Sequence, residues 1–174
     1  MRKRLAALTL ALSALLSACG GMGAPEQYDP VPANTYAAED FAAVDGFLTY
    51  DGDAPSYVGV DVSSHQGDID WARVAAAGVE FAMIRVGYRG YSVGGIFQDR
   101  CFVQNVEGAL AAGLEVGVSF LSQAVTEAGA EDEARQVLEW IAPYDVTWPV
   151  VFDWERQDYD TSRTQKTSEE TVAA

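Results

Sequence analysis

Short apolar runs recur along the chain from about residue 58 onward, separated by longer segments that mix apolar and polar residues. Four of these runs are strand candidates, at residues 58–62, 81–86, 116–121 and 150–152. Because the runs are apolar nearly throughout, they are typical of strands that are buried on both faces of a parallel sheet.

The segments between these strands have apolar residues at helical spacing. The pattern predicts helices that begin near Asp70 and end at Gly78, and that cover residues 99–112 and 126–141. Asp70 suits the position that caps a helix start, and Gly78 suits a helix end. Strands that alternate with helices in this way predict βα units and an α/β fold.

The chain begins with a different pattern. Three basic residues follow Met1, and an uncharged stretch covers residues 5–18, which is the layout of a secretory signal and is too short for a spanning helix. The sequence LSAC at 16–19 resembles the bacterial lipobox. That resemblance implies a lipoprotein signal over 1–18, lipidation of Cys19, and an exported protein that the lipid holds in the cell membrane, facing the wall. An ordinary secretory signal is the alternative.

Residues 19–57 are rich in Gly, Pro, Ala, Asp and Glu and show no sustained periodicity. This composition predicts a flexible tether. The folded domain is therefore expected to cover residues 58–174.

The chain is acidic, with a formal net charge of −15, and removal of the three basic residues with the signal would bring the charge to about −18. A nucleic-acid partner is not indicated, because such proteins cluster Lys and Arg. If Cys19 carries lipid, Cys101 has no second cysteine to pair with in this sequence, which excludes a disulfide framework.

Ionisable residues occur near the carboxyl ends of three predicted strands, where parallel α/β folds place their functional sites. They are Asp61, Arg85 and the sequence DWE at 153–155. Residues two apart on a strand face the same side, about 6.6 Å apart, so Asp153 and Glu155 are expected to share a pocket. Glycoside hydrolysis requires such a pair, one acid protonated and one ionised. From the pair alone, a cap, a turn or a solvated strand edge is an alternative.

Three motifs, in order, resemble glycoside hydrolase family 25, the family of N-acetylmuramidase lysozymes. They are GVDVSSHQGDIDW at 59–71, FAMIRVGY at 81–88 and PVVFDWE at 149–155. The resemblance implies an irregular, TIM-like β/α barrel that cleaves the β-1,4 bond between N-acetylmuramic acid and N-acetylglucosamine in peptidoglycan. It implies neither a metal nor another cofactor.

The same resemblance implies roles for individual residues. Glu155 matches the general acid, Asp153 the second carboxylate and Asp61 the aspartate of the first strand. Asp153 would stabilise positive charge directly or orient the acetamido group of the substrate, and the sequence leaves both routes open. Arg85, expected as a partner of the carboxylates inside the barrel, and Tyr88 would contact substrate; a surface charge and a packing aromatic are their alternatives.

The chain departs from the family in its length. A complete barrel takes about 200–250 residues, and the sequence TSEE at 167–170 resembles the start of a fifth helix. We therefore expect a barrel that is truncated after about the fourth strand and lacks an acidic residue that the family takes from a later strand.

Two other functions stay open. A degenerate lysozyme fold would bind cell-wall glycan without cleaving it, and a chitinase-like barrel would share the Asp-x-Glu strand end but not the opening motif at 59–71. His65, the single histidine, is expected as a turn residue at the rim of the pocket, because metal sites and catalytic triads need further partners. We expect a monomer.

Overall fold

A computed structural model describes residues 34–167 of the chain. The chain divides into two compact units, residues 1–36 and residues 37–174, and the description below concerns the second. The predicted signal at 1–18, Cys19 and most of the predicted helix start at 167–170 lie outside the described residues. No helix within 34–167 is long and apolar enough to cross a membrane.

A hairpin lies in the region where we expected an unstructured tether. A short 3-10 turn, Ala38–Asp40, leads into β1 (Phe41–Val44), which pairs antiparallel with β2 (Phe47–Tyr50). Asp45 and Gly46 form the turn with φ of 52° and 87°, the conformation of a tight hairpin turn, and Phe47 packs against the core. The expectation for 19–57 therefore differs from the structure over 38–50, where an Asp-Gly turn and burial of Phe47 favour a hairpin.

The main sheet is mostly parallel. Its strands are β3 (Gly59–Val62), β4 (Phe81–Arg89), β5 (Ile96–Gln98), β6 (Glu115–Ser122) and β7 (Val150–Trp154). The order β3-β4-β6-β7 is parallel throughout, and β5 pairs antiparallel with β4. The four predicted strands and the α/β class are confirmed. β5 was not predicted, because three residues are too few for a recognisable apolar pattern.

Three helices connect the parallel strands: α1 (Trp71–Ala76), α2 (Phe102–Ala111) and α3 (Glu127–Ile141). Asp70 caps α1 by accepting a hydrogen bond from the Arg73 N–H at 3.1 Å, as predicted. The Thr126 hydroxyl caps α3 in the same way. α2 begins at Phe102 rather than at Asp99, and in the turn before it the Asp99 side chain accepts a hydrogen bond from the Cys101 N–H at 2.9 Å.

The hydrophobic core lies between the sheet and these helices. Residues of β4 and β6 that face the helices are almost fully buried. Their partners include aromatic and aliphatic side chains of the helices; the cluster contains Trp71, Ala82, Ile84, Val86, Phe102, Val106, Ala109, Val116, Val118, Phe120 and Val137. The opposite face of the sheet carries both apolar residues, such as Met83 and Leu121, and polar residues, such as Arg85 and Ser119.

An irregularity in β4 changes which residues point to each face. The register with β6 shifts between Arg85 and Gly87, so two consecutive residues, Val86 and Gly87, are buried. As a result Arg85 and Tyr88 lie on one face, with the Arg85 Cζ 5.7 Å from the Tyr88 ring centroid. Arg89 turns to the other face and pairs with Glu133 of α3. Such a bulge re-aims side chains next to a site.

Candidate active site

Asp61 and Asp153 interact electrostatically although they come from different strands of the sheet. Partial burial and the charge of Asp153 raise the pKa of Asp61 above 3.8, and the positive charge of Arg85 opposes this shift. Asp153 is in register with Leu121, which is itself in register with Tyr88. The structure thus brings together Asp61, Asp153 and Arg85, three residues that the sequence predicted for one site.

Glu155 follows directly after β7 and is exposed. Its Oε2 accepts a hydrogen bond from Gln157 Nε2 at 3.3 Å. Trp154, between the two acids, donates its indole N–H to the Ala124 carbonyl oxygen at 2.9 Å, so its side chain is directed toward the segment after β6. This agrees with the expected alternation of Asp153, Trp154 and Glu155.

Tyr91 shows that Asp153 and Glu155 border the same space. Burial and the charge of Glu155 raise the pKa of the Tyr91 phenol above 10.0, with smaller contributions from Tyr159 and Asp153 in the same direction and an opposing one from Arg85. One phenol therefore lies within electrostatic reach of both acids. A neutral hydroxyl beside two carboxylates can donate a hydrogen bond to either of them or to a sugar hydroxyl.

Arg85 has a different ion-pair partner from the one expected. Its Nε and one terminal nitrogen contact Asp99 Oδ2 at 2.9 Å and 2.6 Å, and Asp99 is 2% exposed. Burial alone would raise the pKa of Asp99, but hydrogen bonds from the Cys101 N–H and Arg85 outweigh burial and hold the pKa below 3.8. Arg85 lies in the interior, yet its direct partner is Asp99 and not one of the three site carboxylates.

Ser64 completes the surroundings of this ion pair. Its N–H donates to Asp99 Oδ2 at 3.2 Å, and its hydroxyl accepts from Arg85 at 3.3 Å. The loop after β3 is therefore bound to β4 and to Asp99, which directly follows β5. Arg85 is held in a fixed orientation with its charge still near Asp61.

Aromatic side chains border the carboxylates. Tyr88 is half-buried, and its ring lies 5.6 Å from the ring of Phe97. Tyr91 and Tyr159 are 37% and 41% exposed. The sequence predicted Tyr88 but not Tyr91, Tyr159 or Asp99. Tyr91 lies in the glycine-rich loop 90–95 that follows β4, and an aromatic residue in a loop at the carboxyl edge of a sheet was the available signal.

His65 is exposed, and its backbone N–H is bonded to the Ser63 hydroxyl at 3.2 Å. This is the turn position that the sequence predicted. Within residues 34–167, no group of three or more His, Cys, Asp or Glu side chains is arranged to hold a metal ion.

The chain is similar to known proteins both in sequence and in fold. The family model described as glycosyl hydrolases family 25 matches residues 60–174. Among solved structures, the modular autolysin LytC from Streptococcus pneumoniae matches with a TM-score of 0.58 and 24% identity, covering 76% of this chain and 32% of its own. The same autolysin in complex with a synthetic peptidoglycan ligand matches with a TM-score of 0.57, 23% identity and the same two coverages.

A family 25 glycosyl hydrolase from Bacillus anthracis matches at 21% identity with a TM-score of 0.49, covering 79% of this chain and 55% of that one. No curated protein matches the chain. The chain spans about a third of the length of the autolysin structures.

Proposed function

Since the chain belongs to the glycosyl hydrolases family 25, we propose that it hydrolyses the β-1,4 bond between N-acetylmuramic acid and N-acetylglucosamine in peptidoglycan. One observation carries the proposal. Asp153 and Glu155 lie at the carboxyl end of a parallel strand and directly after it, and Trp154 between them turns its indole toward the Ala124 carbonyl. In agreement with this geometry, both acids raise the pKa of the Tyr91 phenol, and Asp153 raises that of Asp61. Glycosidases need two carboxyl groups that flank one bond.

The surroundings of the two acids suggest their roles. Glu155 is exposed and contacts the neutral amide of Gln157, so its carboxyl group is accessible to the oxygen of a leaving sugar. We assign it the role of proton donor. Asp153 stabilises the positive charge that develops at the sugar carbon, either directly or by orienting the acetamido group of the substrate.

Asp61 and Arg85 adjust the charge of the site. Burial and the charge of Asp153 raise the pKa of Asp61, so the negative charge on this carboxyl group is less favourable than it would be in water. Arg85 offsets part of the negative charge of the three acids. Together with the Tyr88 ring beside it, Arg85 would contact the polar groups of the substrate.

We also propose that the sheet is part of an irregular β/α barrel. In a flat sheet, β3 and β7 would lie about 14 Å apart, because three interstrand spacings of about 4.8 Å separate them. Asp61 of β3 and Asp153 of β7 nevertheless interact. Strong curvature of the sheet, as in a barrel wall, explains that interaction.

Export and anchoring stay part of the proposal on sequence grounds. A lipid on Cys19 would hold the protein at the cell membrane, and residues 19–37 would separate the anchor from the hairpin. The protein would act there as a monomer. Such an arrangement brings a hydrolase to peptidoglycan next to the membrane. Metabolic labelling with a radioactive fatty acid, in the wild type and in Cys19→Ser, tests it, and label on both proteins or on neither would contradict it.

The decisive measurement for the enzyme is the release of reducing sugar ends from purified peptidoglycan by the natural full-length protein. Glu155→Gln should abolish release, and Asp153→Asn should lower it at least about a hundredfold, since each removes an ionisable group from the reaction. Glu139→Gln, at an exposed position of α3, is the matched control. Sedimentation with peptidoglycan without any cleavage would replace the enzyme with a glycan-binding protein.

A further inference from the structure

Two fully buried polar side chains lie directly behind the backbone of Glu155. Gln123, the residue after β6, and Thr164, in the segment after β7, are both 0% exposed. Buried polar groups destabilise a fold unless they are hydrogen-bonded. The bonds of these two residues therefore show what they hold in place.

Both polar atoms of the Gln123 side-chain amide form hydrogen bonds. Its Nε2 donates to the Ser122 carbonyl oxygen at 2.8 Å and to the Glu155 carbonyl oxygen at 2.6 Å. Since both acceptors are carbonyl groups, only the nitrogen can occupy that position, which fixes the orientation of the amide. Its Oε1 then accepts a hydrogen bond from the Thr164 hydroxyl at 3.1 Å.

The Thr164 hydroxyl binds the same stretch of backbone one peptide further along. It accepts a hydrogen bond from the Gln157 N–H at 2.9 Å, and it lies 3.3 Å from the Glu155 carbonyl oxygen. The two side chains thus hold the carbonyl of Glu155 and the amide of Gln157. The backbone that directly follows the Glu155 Cα is therefore held although the Glu155 carboxyl group itself is exposed.

Gln123 is in turn fixed to the scaffold. Its backbone N–H donates to Glu133 Oε1 at 3.4 Å, and Glu133 is paired with Arg89 at 2.5 Å in the buried layer between β4 and α3. Its carbonyl oxygen accepts a hydrogen bond from Arg163 Nε at 3.3 Å. The Glu155 backbone is therefore connected through one glutamine to the buried ion pair of Arg89 and Glu133.

We propose that Gln123 and Thr164 are positioning residues for Glu155: they hold the peptide that carries the proton donor, and neither touches the substrate. This inference rests on the proposed function. A reacting group that is displaced by about 1 Å can lose on the order of a hundredfold in rate. The two side chains, Gln123 and Thr164, together form a clamp on the Glu155 backbone. Loss of either of them should consequently lower kcat and leave KM nearly unchanged.

The test compares Thr164→Val, which removes the hydroxyl at constant shape, with Thr164→Ser, which keeps it. Kinetics on solubilised glycan strands should show a kcat about 10- to 100-fold lower for Thr164→Val, KM within about twofold, and most of kcat restored in Thr164→Ser. Gln123→Met should match Thr164→Val. A higher KM with an unchanged kcat, or equal kcat values in the Val and Ser variants, would overturn the proposal.

Loss of stability alone needs its own control. Val106→Ala removes buried volume from α2, away from the site, and should lower the unfolding temperature with kcat unchanged at a temperature where the protein is folded. If kcat in this variant falls in parallel with stability, as in Thr164→Val, the effect is structural and the positioning role is wrong.

A second readout does not depend on cleavage. The ¹³C chemical shift of the Glu155 carbonyl and the order parameters of residues 155–157 report the clamp directly. In Gln123→Met the carbonyl signal should move upfield and the order parameters should fall, relative to the wild type. If the wild type never cleaves glycan, the proposed function fails while this result still decides the clamp; unchanged signals would overturn it.

Discussion

Arg85 donates two hydrogen bonds to one carboxylate oxygen of Asp99, at 2.9 Å and 2.6 Å, and Asp99 is almost completely buried. The pair connects β4 to the residue that directly follows β5, and the Ser64 N–H donates to the same carboxylate oxygen. A second buried ion pair, Arg89 with Glu133, connects the same strand to α3.

Asp99→Asn should destabilise the fold by about 2–3 kcal/mol. Removing one partner of a fully buried ion pair costs about 3–5 kcal/mol, and the Arg85 side chain keeps 18% exposure, which reduces the cost. Urea unfolding followed by circular dichroism measures the difference. Asp132→Asn on the exposed face of α3 is the control, and a loss below about 0.5 kcal/mol for Asp99→Asn would contradict the prediction.

Asp99 should also make the stability of the fold sensitive to acid. Because the pKa of Asp99 in the folded protein is below 3.8, its ionised form stabilises the fold above pH 3.8, and this contribution is lost as pH falls through the folded pKa. The free energy of unfolding of the wild type should fall more steeply below pH 3.8 than that of Asp99→Asn. Parallel curves for the two proteins would show that Asp99 is not the source.

Ionisation of Asp61 has the opposite effect on the free energy of unfolding. Its pKa is raised in the folded protein, so the ionised form destabilises the fold above the folded pKa and has no effect below pH 3.8. Asp61→Asn should be more stable than the wild type at pH 7, and the gain should disappear in acid. Thermal unfolding at pH 7 and pH 3 tests this, and an Asn variant that is less stable at pH 7 would contradict it.

Tyr91 is predicted to contact the substrate. Tyr91→Ala should raise KM for glycan several-fold, because stacking of a sugar on an aromatic ring is lost, whereas Tyr91→Phe should keep most of the affinity. Tyr57→Ala is the control, since Tyr57 is 61% exposed and precedes the amino end of β3, at the opposite edge of the sheet. An equal rise in KM for the Tyr57 variant would show a nonspecific effect.

Gly87→Ala should destabilise the fold by about 1–3 kcal/mol, the usual range for overpacking. A Cβ at this position would lie 2.5 Å from the Phe97 carbonyl oxygen and 2.7 Å from Trp140 Cζ3. Gly90→Ala is the matched control, because its Cβ would meet no atom closer than 3.5 Å. Chemical unfolding of both variants measures the difference. Equal losses of stability in Gly87→Ala and Gly90→Ala would contradict a local clash at Gly87.

Local sequence patterns predicted the parallel strands, the cap at Asp70, and the strand ends that carry Asp61 and Asp153. These features depend on neighbours in sequence, such as apolar runs and capping residues. The partner of Arg85 could not be predicted this way, because Asp99 suits a helix start equally well. Its burial depends on how β4 and α2 pack.

The clamp on Glu155 was also outside the reach of local patterns. Gln123 and Thr164 are 41 residues apart, and neither belongs to a recognisable motif. Only the folded arrangement, in which the segment after β7 turns back over the end of β6, brings them to the same carbonyl. Contacts of this kind leave no periodic signal in a single sequence.

The irregularity between Arg85 and Gly87 makes the pairing register of β4 as important as its composition. Arg85 and Arg89 are four residues apart, and a regular pleat would direct both guanidinium groups to the same side. The additional residue sorts them, one to the acids of the cleft and one to Glu133. If β4 kept all its residues but paired with β6 in one regular register, two cations would crowd beside the carboxylates and Glu133 would be buried without a counter-charge. The bulge thus separates two like charges that the sequence of β4 alone would bring together.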